Sequence, residues 1–312
     1  MARYVKISTI GAPLLWLSES LSDSEAWDRV RSYLTAQVDR ILPDRPDLIL
    51  FSEFTDMPVG WSEDRRNAFI EYRKDGSNEF FADIAAKNRC NTAYTTVRKG
   101  AGDYYHNSMI ILDRTGQPAG IYDKNHLALA EMDTNTRCGY KAELITLDIG
   151  KVACAICFDL NFEELRLKYK KDQPEIILFS SMCHSGIMQE YWAQTCRSYF
   201  VSSISCSRPS SIISPMGEIL YHNNEHFTFA TGTINLDYAI IHYDNNIEKF
   251  PAIKKKYGPD VNIIYPGNLG YFMITSESTD FSARDIMAEF DMITYDEYLE
   301  QTLSRRREEE HI

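Results

Sequence analysis

The chain of 312 residues carries 33 basic and 45 acidic side chains, which gives a formal net charge of −12 at pH 7. Proteins that bind nucleic acid or an anionic membrane surface need a basic face, so the sequence predicts neither kind of partner. The composition, with 44% hydrophobic residues, is typical of a globular protein with either one large core or two small ones. Its apolar runs fall short of the roughly 18 residues that a membrane-spanning helix needs.

The seven cysteines are an odd number, and several of them lie inside apolar runs. This pattern is typical of reduced, buried thiols and not of a disulfide framework. Cys154 and Cys157 have the spacing of a redox pair or of half a zinc site. They fall on an expected strand, however, where side chains three positions apart face opposite sides. Because the first residues also lack the apolar segment of a secretory signal, we expect a cytoplasmic protein.

Short strand-like runs alternate with helical periods along most of the chain. Residues 5–10 alternate apolar and polar side chains, as a half-buried strand does. Ser22 and Glu25 have the spacing of a capping box and predict a helix, which continues with apolar residues at helical intervals. Residues 47–51 form a nearly continuous apolar run, typical of a strand covered on both faces. Residues 64–88 are expected to be helical.

A turn sequence at residues 113–116 separates two extended segments, 108–112 and 119–122, and predicts a β-hairpin. Residues 152–158 and 175–180 are predicted to form two further strands with a helix between them. Later extended segments are expected at residues 199–206, 219–222 and 227–236. Strands mixed with helices in this way predict a layered α/β domain.

The C-terminal part of the chain has a different character. Residues 282–307 are strongly charged and helical in pattern, which fits either a solvated surface helix or an arm that packs against a second subunit. We therefore expect a domain over residues 1–275, a charged helical arm over residues 276–312, and a homodimer or higher homo-oligomer if the arm serves assembly.

Three residues at expected strand ends are candidates for chemistry. Cys157 ends an apolar strand, and a helix follows it, for which Asn161 and Glu164 have the spacing of a capping box. A thiol that faces a helix N-terminus lies near the positive end of the helix dipole and near N–H groups that can receive an oxyanion. Glu53 follows the apolar strand of residues 47–51, and Lys124 closes the second strand of the hairpin.

Each of these residues also fits a structural role: an inert buried thiol, a carboxylate at the start of a loop, and a solvated lysine. Taken together, they suggest a particular chemistry. A thiol nucleophile needs a base, and an amide carbonyl under attack needs positive charge beside its developing oxyanion. A cysteine, a glutamate and a lysine supply these roles without histidine, although spacing alone does not show that the three meet.

Three segments of the sequence resemble the signature segments of the carbon–nitrogen hydrolase (nitrilase) superfamily. They are Leu-Ile-Leu-Phe-Ser-Glu at residues 48–53, Tyr-Asp-Lys-Asn-His-Leu at residues 122–127, and Ile-Cys-Phe-Asp-Leu-Asn-Phe-Glu-Glu-Leu-Arg at residues 156–166. They occur in the family's order, within a similarity that runs from about residue 4 to residue 237. The hairpin of residues 106–116 and the turn of residues 214–219 resemble family segments as well.

The resemblance implies a four-layer α-β-β-α sandwich of the nitrilase type and a Cys-Glu-Lys triad that requires neither a metal nor another cofactor. It implies that Glu53 is the general base, that Lys124 stabilises the tetrahedral intermediate and that Cys157 is the nucleophile. A second acidic residue after the lysine would be Glu131, with Asp133 as its competitor. The backbone N–H of Phe158 would receive the oxyanion.

Substrate selection is expected in three loops that follow or flank the catalytic strands. They span residues 55–61, residues 104–106 and residues 183–188, and we expect Tyr105 and His184 to contact the substrate.

The residues after the nucleophile narrow the expected reaction. Cys157, Phe158 and Asp159 resemble the Cys-Tyr-Asp pattern of the amidase-like branch more than the Cys-Trp-Glu pattern of true nitrilases. We therefore expect a small amide substrate that releases ammonia through a thioester. N-carbamoyl compounds and nitriles are the alternatives on the same fold. The Arg-Ala-x-Glu-Asn segment usual in the family is not recognisable at residues 192–200.

Two interpretations from other classes remain open at this point. One is a catalytically silent binding protein that has kept the fold. The other is a Cys–His hydrolase that uses His126, His184 or His222.

Overall fold

The structure, a computed structural model, describes residues 1–206, 208–224 and 226–310. Its contacts divide the chain into two compact units. One consists of residues 6–233, and the other of residues 1–5 together with the chain from Ile234 onward. All the candidate site residues lie in the larger unit.

Within the described residues, the strands are β1 Tyr4–Ile10, β2 Leu48–Phe51, β3 Asn91–Lys99, β4 Tyr105–Leu112, β5 Pro118–Asp123, β6 Ile145–Leu147, β7 Gly150–Ile156, β8 Ile176–Ser181, β9 Tyr199–Ile204, β10 Ser211–Ile213, β11 Ile219–His222, β12 Phe229–Asn235, β13 Tyr238–His242, β14 Val261–Ile264 and β15 Tyr271–Ser276. The α-helices are α1 Asp23–Ile41, α2 Glu63–Arg73, α3 Gly76–Asn88, α4 Leu129–Met132, α5 Glu163–Asp172, α6 Met188–Cys196, α7 Phe250–Tyr257, α8 Ala283–Glu289 and α9 Tyr295–Glu309. Short 3-10 helices lie at Leu42–Asp44, Cys157–Asn161, Ile247–Lys249 and Gly258–Asp260.

The first six-stranded sheet has the strand order β12-β1-β2-β3-β4-β5. Strands β1, β2 and β3 run parallel, whereas β4 pairs antiparallel with both β3 and β5. The predicted hairpin is therefore confirmed. Helices α1, α2 and α3 cover one face of this sheet, where Trp27, Phe69 and Phe81 share a buried core with Phe51 of β2. Burial of these large aromatic side chains stabilises the helical layer on the sheet.

The second six-stranded sheet has the order β11-β10-β9-β8-β7-β6. Its central strands β7, β8 and β9 are parallel, and its outer strands pair antiparallel. Helices α5 and α6 pack on this sheet. The Tyr169 hydroxyl of α5 donates to the Cys154 carbonyl oxygen of β7 at 2.6 Å, and the buried Trp192 of α6 lies edge-on to the Tyr169 ring.

Serine hydroxyls at the ends of two strands connect the sheets face to face. Ser180 Oγ of β8 donates to the Phe51 carbonyl oxygen of β2 at 2.6 Å. Ser203 Oγ of β9 donates to the Ile10 carbonyl oxygen of β1 at 2.7 Å. The two sheets thus pack against each other with helices on both outer faces, and the predicted four-layer α-β-β-α sandwich is confirmed.

Three predicted elements differ from the structure. Residues 5–10 are buried almost throughout and do not form a half-buried strand, because helices cover one face of the first sheet and the second sheet packs on the other. Residues 64–88 form two helices, because Lys74 leaves the helical region with φ 35° and ψ −112°. Residues 282–307 also form two helices, because Thr294 and Glu297 make a capping box that starts α9.

The smaller unit has a sheet of its own with the order β13-β15-β14, antiparallel throughout. Ile253 of α7 and Ile286 of α8 are buried in a core with residues of this sheet. None of the residues of α9, all of which the structure describes, is buried. The domain division at residue 275 and the assembly role of the arm remain predictions.

The remaining expectations about the whole chain concern thiols and membranes. All seven cysteines lie in the described ranges, and all are free. No helix among the described residues combines the length and the apolar character needed to cross a membrane.

The close approach of strand ends in the sandwich leads to a stability prediction at Gly11. A Cβ atom on Gly11 would lie 2.1 Å from Ser210 Oγ and 2.6 Å from the Ile204 carbonyl oxygen. We expect Gly11→Ala to lower the free energy of unfolding by about 1–3 kcal/mol, as overpacking does, measured by urea denaturation. Gly76→Ala is the control, since its nearest neighbour, Trp27 Nε1, lies at 3.5 Å. Equal stability of the two variants would contradict this account.

Candidate active site

Glu53 lies just beyond the end of β2, and only 1% of its surface is exposed. Its Oε1 accepts hydrogen bonds from Lys124 Nζ at 3.1 Å and from Asn107 Nδ2 at 2.9 Å. Its Oε2 accepts the backbone N–H of Met182 at 3.0 Å. The next residue, Phe54, has a φ of 53°, so the chain turns sharply after the carboxylate. The donors come from both sheets, because Met182 follows β8 of the second sheet.

Lys124 directly follows β5 and is as deeply buried as Glu53. Its backbone N–H continues the ladder by donating to the Asn107 carbonyl oxygen at 2.9 Å. Its Nζ contacts two carboxylates, Glu131 at 2.7 Å and Glu53 at 3.1 Å. Burial opposes the charged form of this side chain, but attraction to Glu53 and Glu131 outweighs it, so the pKa of Lys124 is raised.

Glu131 lies on the short helix α4, and its carboxylate is fixed from two directions. The backbone N–H of Ala128 donates to Glu131 Oε2 at 3.0 Å, and Asn107 Nδ2 donates to Glu131 Oε1 at 3.2 Å. Asp133, the competing residue in the sequence, is exposed. The structure thus brings Glu131, and not Asp133, to the Lys124 ammonium.

Cys157 begins a 3-10 helix at the point where β7 ends, and its φ of 46° is unusual for a residue with a side chain. Burial, followed by the negative charge of Glu53, raises the pKa of the Cys157 thiol to about 12. The Lys124 ammonium and the Ser181 hydroxyl act in the opposite direction without overcoming them. The resting side chain is therefore a neutral thiol at pH 7, and it needs a base to become a nucleophile.

The predicted capping box of Asn161 and Glu164 is wrong. Helix α5 starts at Glu163 with Phe162 as its N-cap residue, and no side chain caps it. Asn161 Nδ2 instead donates to the Phe158 carbonyl oxygen at 3.0 Å, within the 3-10 helix. The 3-10 helix of Cys157–Asn161 separates the cysteine from α5, so Cys157 lies in the first turn of the 3-10 helix and not at the N-terminus of α5.

Asp159 connects the cysteine turn to the lysine loop, and the sequence analysis missed this residue. It is fully buried, and its Oδ2 accepts from the Tyr122 hydroxyl at 2.7 Å and from the Ile156 N–H at 2.9 Å. Its Oδ1 accepts the His126 backbone N–H at 2.9 Å and lies 3.0 Å from His126 Nδ1. One carboxylate thus joins the residue before Cys157 to residues on both sides of Lys124.

The His126 side chain lies against two carboxylates and one aromatic ring. Its Nε2 lies 2.7 Å from Glu164 Oε1, and its ring stacks on Phe162 with a centroid distance of 4.0 Å. Burial lowers the pKa of His126, but hydrogen bonds to Asp159 and Glu164 outweigh this effect and raise it overall.

The other three predicted site residues differ in where they lie relative to Glu53, Lys124 and Cys157. Phe158 occupies the first turn of the 3-10 helix beside Cys157, where backbone N–H groups have no helical partner, and its half-exposed ring lies edge-on to Phe162. Tyr105 is near Glu71 and Lys99, whose charges act on its phenol. The carbonyl oxygen of His184 accepts from Gln189 Nε2. In the described parts of the chain, the hydrogen bonds link neither Tyr105 nor His184 to Glu53, Lys124 or Cys157.

Asn107 is the second residue that the sequence analysis missed. Its side chain contacts both Glu53 and Glu131, and its backbone holds Lys124. The signal in the sequence was a polar residue directly before the run Ser-Met-Ile-Ile-Leu. This run belongs to the hairpin that resembles a family segment. Among the residues described, no group of three or more histidine, cysteine, aspartate or glutamate side chains is placed to hold a metal ion.

Comparison with known proteins agrees with this fold. The family model of the carbon-nitrogen hydrolases matches residues 11–240, which is more than half of the chain, and the chain belongs to this family. The carbon-nitrogen hydrolase from Helicobacter pylori G27 has the same fold, with a TM-score of 0.62 and 14% sequence identity over 82% of this chain and 93% of that chain.

Two curated relatives carry the same name. The deaminated glutathione amidase of Dictyostelium discoideum is 25% identical over 209 residues, covering 56% of this chain and 71% of that protein. The deaminated glutathione amidase of Rattus norvegicus is 26% identical over 140 residues, covering 37% of this chain and 43% of that protein. The similarity thus spans less than half the length of the rat relative.

The charge beside the thiol leads to a prediction for Glu53→Gln. Removing the negative charge that raises the Cys157 pKa, while Lys124 remains, lowers that pKa and increases the thiolate fraction at pH 7–8. We expect iodoacetamide to alkylate Cys157 about tenfold faster or more in this variant, since one pKa unit is a tenfold change in thiolate. Mass spectrometry of the Cys157 peptide measures the rate.

Glu143→Gln, which changes an exposed carboxylate, is the control and should alkylate like the unmodified protein. Lys124→Met should alkylate more slowly, because the ammonium lowers the thiol pKa. Slower alkylation of Glu53→Gln than of the unmodified protein would show that this assignment of charges is wrong.

Proposed function

We propose that this protein is a cysteine-dependent amidohydrolase. It cleaves the carbon–nitrogen bond of a small, non-peptide amide through a thioester and releases ammonia. The observation that carries the proposal is the buried Lys124 ammonium between Glu53 and Glu131, next to a thiol whose ionisation depends on Glu53 and Lys124. A nucleophile, a base and an oxyanion-stabilising cation are thus present together in a buried site.

The first half of the proposed reaction forms the acyl-enzyme. Glu53 takes the thiol proton as Cys157 Sγ attacks the amide carbonyl carbon, because the neutral thiol is a weak nucleophile. The carbonyl π electrons move to oxygen, and Lys124 and the Phe158 N–H stabilise the resulting oxyanion. Glu53 then donates its proton to the amide nitrogen, and the carbon–nitrogen bond breaks. Ammonia departs, and the acyl group remains bound to Cys157 as a thioester.

The second half returns the enzyme to its starting state. Glu53 takes a proton from a water molecule, and the hydroxide formed attacks the thioester carbonyl. The tetrahedral intermediate collapses with cleavage of the carbon–sulfur bond, and Glu53 returns the proton to the sulfur. Carboxylic acid and free thiol are the products. Water is the only co-reactant, so the cycle needs no cofactor.

The assignment to amides rests on two kinds of support. The chain is similar to proteins named deaminated glutathione amidase, and the residues after the nucleophile resemble the amidase-like branch. Glu131 adds a second carboxylate next to Lys124, which keeps the cation paired while Glu53 is protonated. The free cysteines, including the exposed Cys183, favour a reducing compartment, and we propose the cytoplasm as the setting.

The decisive experiment is an ammonia-release screen over short amides, ω-amides, nitriles and N-carbamoyl amino acids. We expect turnover with an amide, and we expect Cys157→Ala to reduce kcat/KM by about 10³-fold or more, as loss of a nucleophile does. Cys183→Ala, which changes an exposed thiol, should retain activity. Circular dichroism checks that both variants fold.

Each other outcome of the screen has a distinct meaning. Turnover of nitriles or N-carbamoyl compounds alone would replace the proposed substrate class and leave the thiol mechanism in place. Full activity of Cys157→Ala would exclude that mechanism. No turnover of any class would favour a binding protein that has kept the fold.

A further inference from the structure

Asn107 touches three of the four residues in the proposed catalytic cluster of Glu53, Lys124, Glu131 and Cys157. Its Nδ2 donates to Glu53 Oε1 at 2.9 Å and to Glu131 Oε1 at 3.2 Å. Its carbonyl oxygen accepts the Lys124 backbone N–H at 2.9 Å. Asn107 itself is buried.

The orientation of the Asn107 amide follows from its neighbours. An amide group carries two N–H donors on nitrogen and only an acceptor on oxygen. The opposite orientation would place Oδ1 against two carboxylates, which is repulsive. In the orientation observed, Oδ1 is buried and has no hydrogen-bond partner among the described residues. The side chain thus leaves its acceptor unsatisfied while its donors hold the two glutamates.

We propose that Asn107 is a positioning residue that holds Glu53 and Glu131 on either side of the Lys124 ammonium. This inference rests on the proposed function of the site. Hydrogen bonds to a carboxylate favour its charged form, and Glu53 accepts the thiol proton only when it is charged.

An asparagine suits this place better than other side chains of similar size. An aspartate would have the same shape but would add a third negative charge next to two carboxylates. A leucine would fill the volume without any donor. The backbone at this position is held independently, because Asn107 pairs with Val97 in the β3–β4 ladder, and Arg98 binds Asp123 through both carboxylate oxygens at 2.6–2.7 Å.

The chain offers a matched control in Asn91 of β3, on the same sheet. Asn91 is also buried, its Nδ2 donates to the Asp148 carboxylate at 2.8 Å, and its Oδ1 has no partner among the described residues. Asn91→Leu therefore removes the same kind of interaction as Asn107→Leu without touching the cluster. General loss of packing should appear in both variants, and an effect on Glu53 only in the second.

The first measurement needs no substrate. We expect iodoacetamide to alkylate Cys157 at pH 7–8 about tenfold faster in Asn107→Leu, because loss of the donors shifts the shared proton from the thiol toward Glu53. Asn107→Ala, which also removes both donors, should show a similar increase and keeps the test open if the leucine variant fails to fold. Asn91→Leu should alkylate at the unmodified rate.

The second measurement is the pH dependence of kcat/KM for an amide found in the screen. We expect the acidic limb of the profile to move upward by about one pH unit in Asn107→Leu, with no movement in Asn91→Leu. If the two leucine variants agree in alkylation rate and in pH profile, Asn107 has no positioning role. If the unmodified protein hydrolyses no amide while Asn107→Leu still alkylates faster, the proposed function fails and the positioning role stands.

Discussion

A lysine ammonium buried between two carboxylates is the constraint on which the rest of the site depends. Removing a charge from water is costly, and it is tolerated only where partners of opposite charge lie close and well oriented. Lys124 obtains these partners from the end of β2 and from α4. The register of β4 with β5 and the packing of the two sheets must therefore place three chain segments within hydrogen-bond distance. Asp123, immediately before the lysine, accepts from Ser108 of β4 and pairs with Arg98 of β3, so its carboxylate joins all three strands.

Two turns with positive φ bring the carboxylate and the thiol to this cation. Phe54, after Glu53, and Cys157 itself adopt backbone conformations that residues with side chains rarely occupy. Such turns persist only where surrounding contacts fix them. Asp159 supplies these contacts at the thiol turn, since its buried carboxylate accepts hydrogen bonds from both the cysteine segment and the lysine loop. The nucleophile and the cation are thus positioned by one shared acceptor.

How well the sequence predicted each feature depends on how far apart in the chain the interacting residues lie. The run at residues 47–51 and the hairpin turn at residues 113–116 are local signals, and they predicted their elements. Glu53, Lys124 and Cys157 were singled out because each lies at an expected strand end, and the resemblance of the surrounding segments to the family gave them their roles. Asn107 and Asp159 were missed because their partners lie far away in sequence: Asn107 and Glu53 are 54 positions apart. Apolar periodicity likewise does not show where one helix ends and the next begins. For this reason a single C-terminal helix was predicted, although Thr294 and Glu297 have the spacing of a capping box.

The charge balance of the cluster explains why the proposed chemistry needs two glutamates. At rest, two carboxylates, one ammonium and a neutral thiol carry a net charge of about −1. When Glu53 accepts the thiol proton, the negative charge moves to sulfur and then to the substrate oxygen, so the total in the buried site does not change. Glu131 stays charged throughout and keeps Lys124 paired while Glu53 is neutral. A single glutamate would leave the ammonium without an anionic side chain at the moment it must stabilise the oxyanion, and Asn107 binds both carboxylates while adding no charge to this balance.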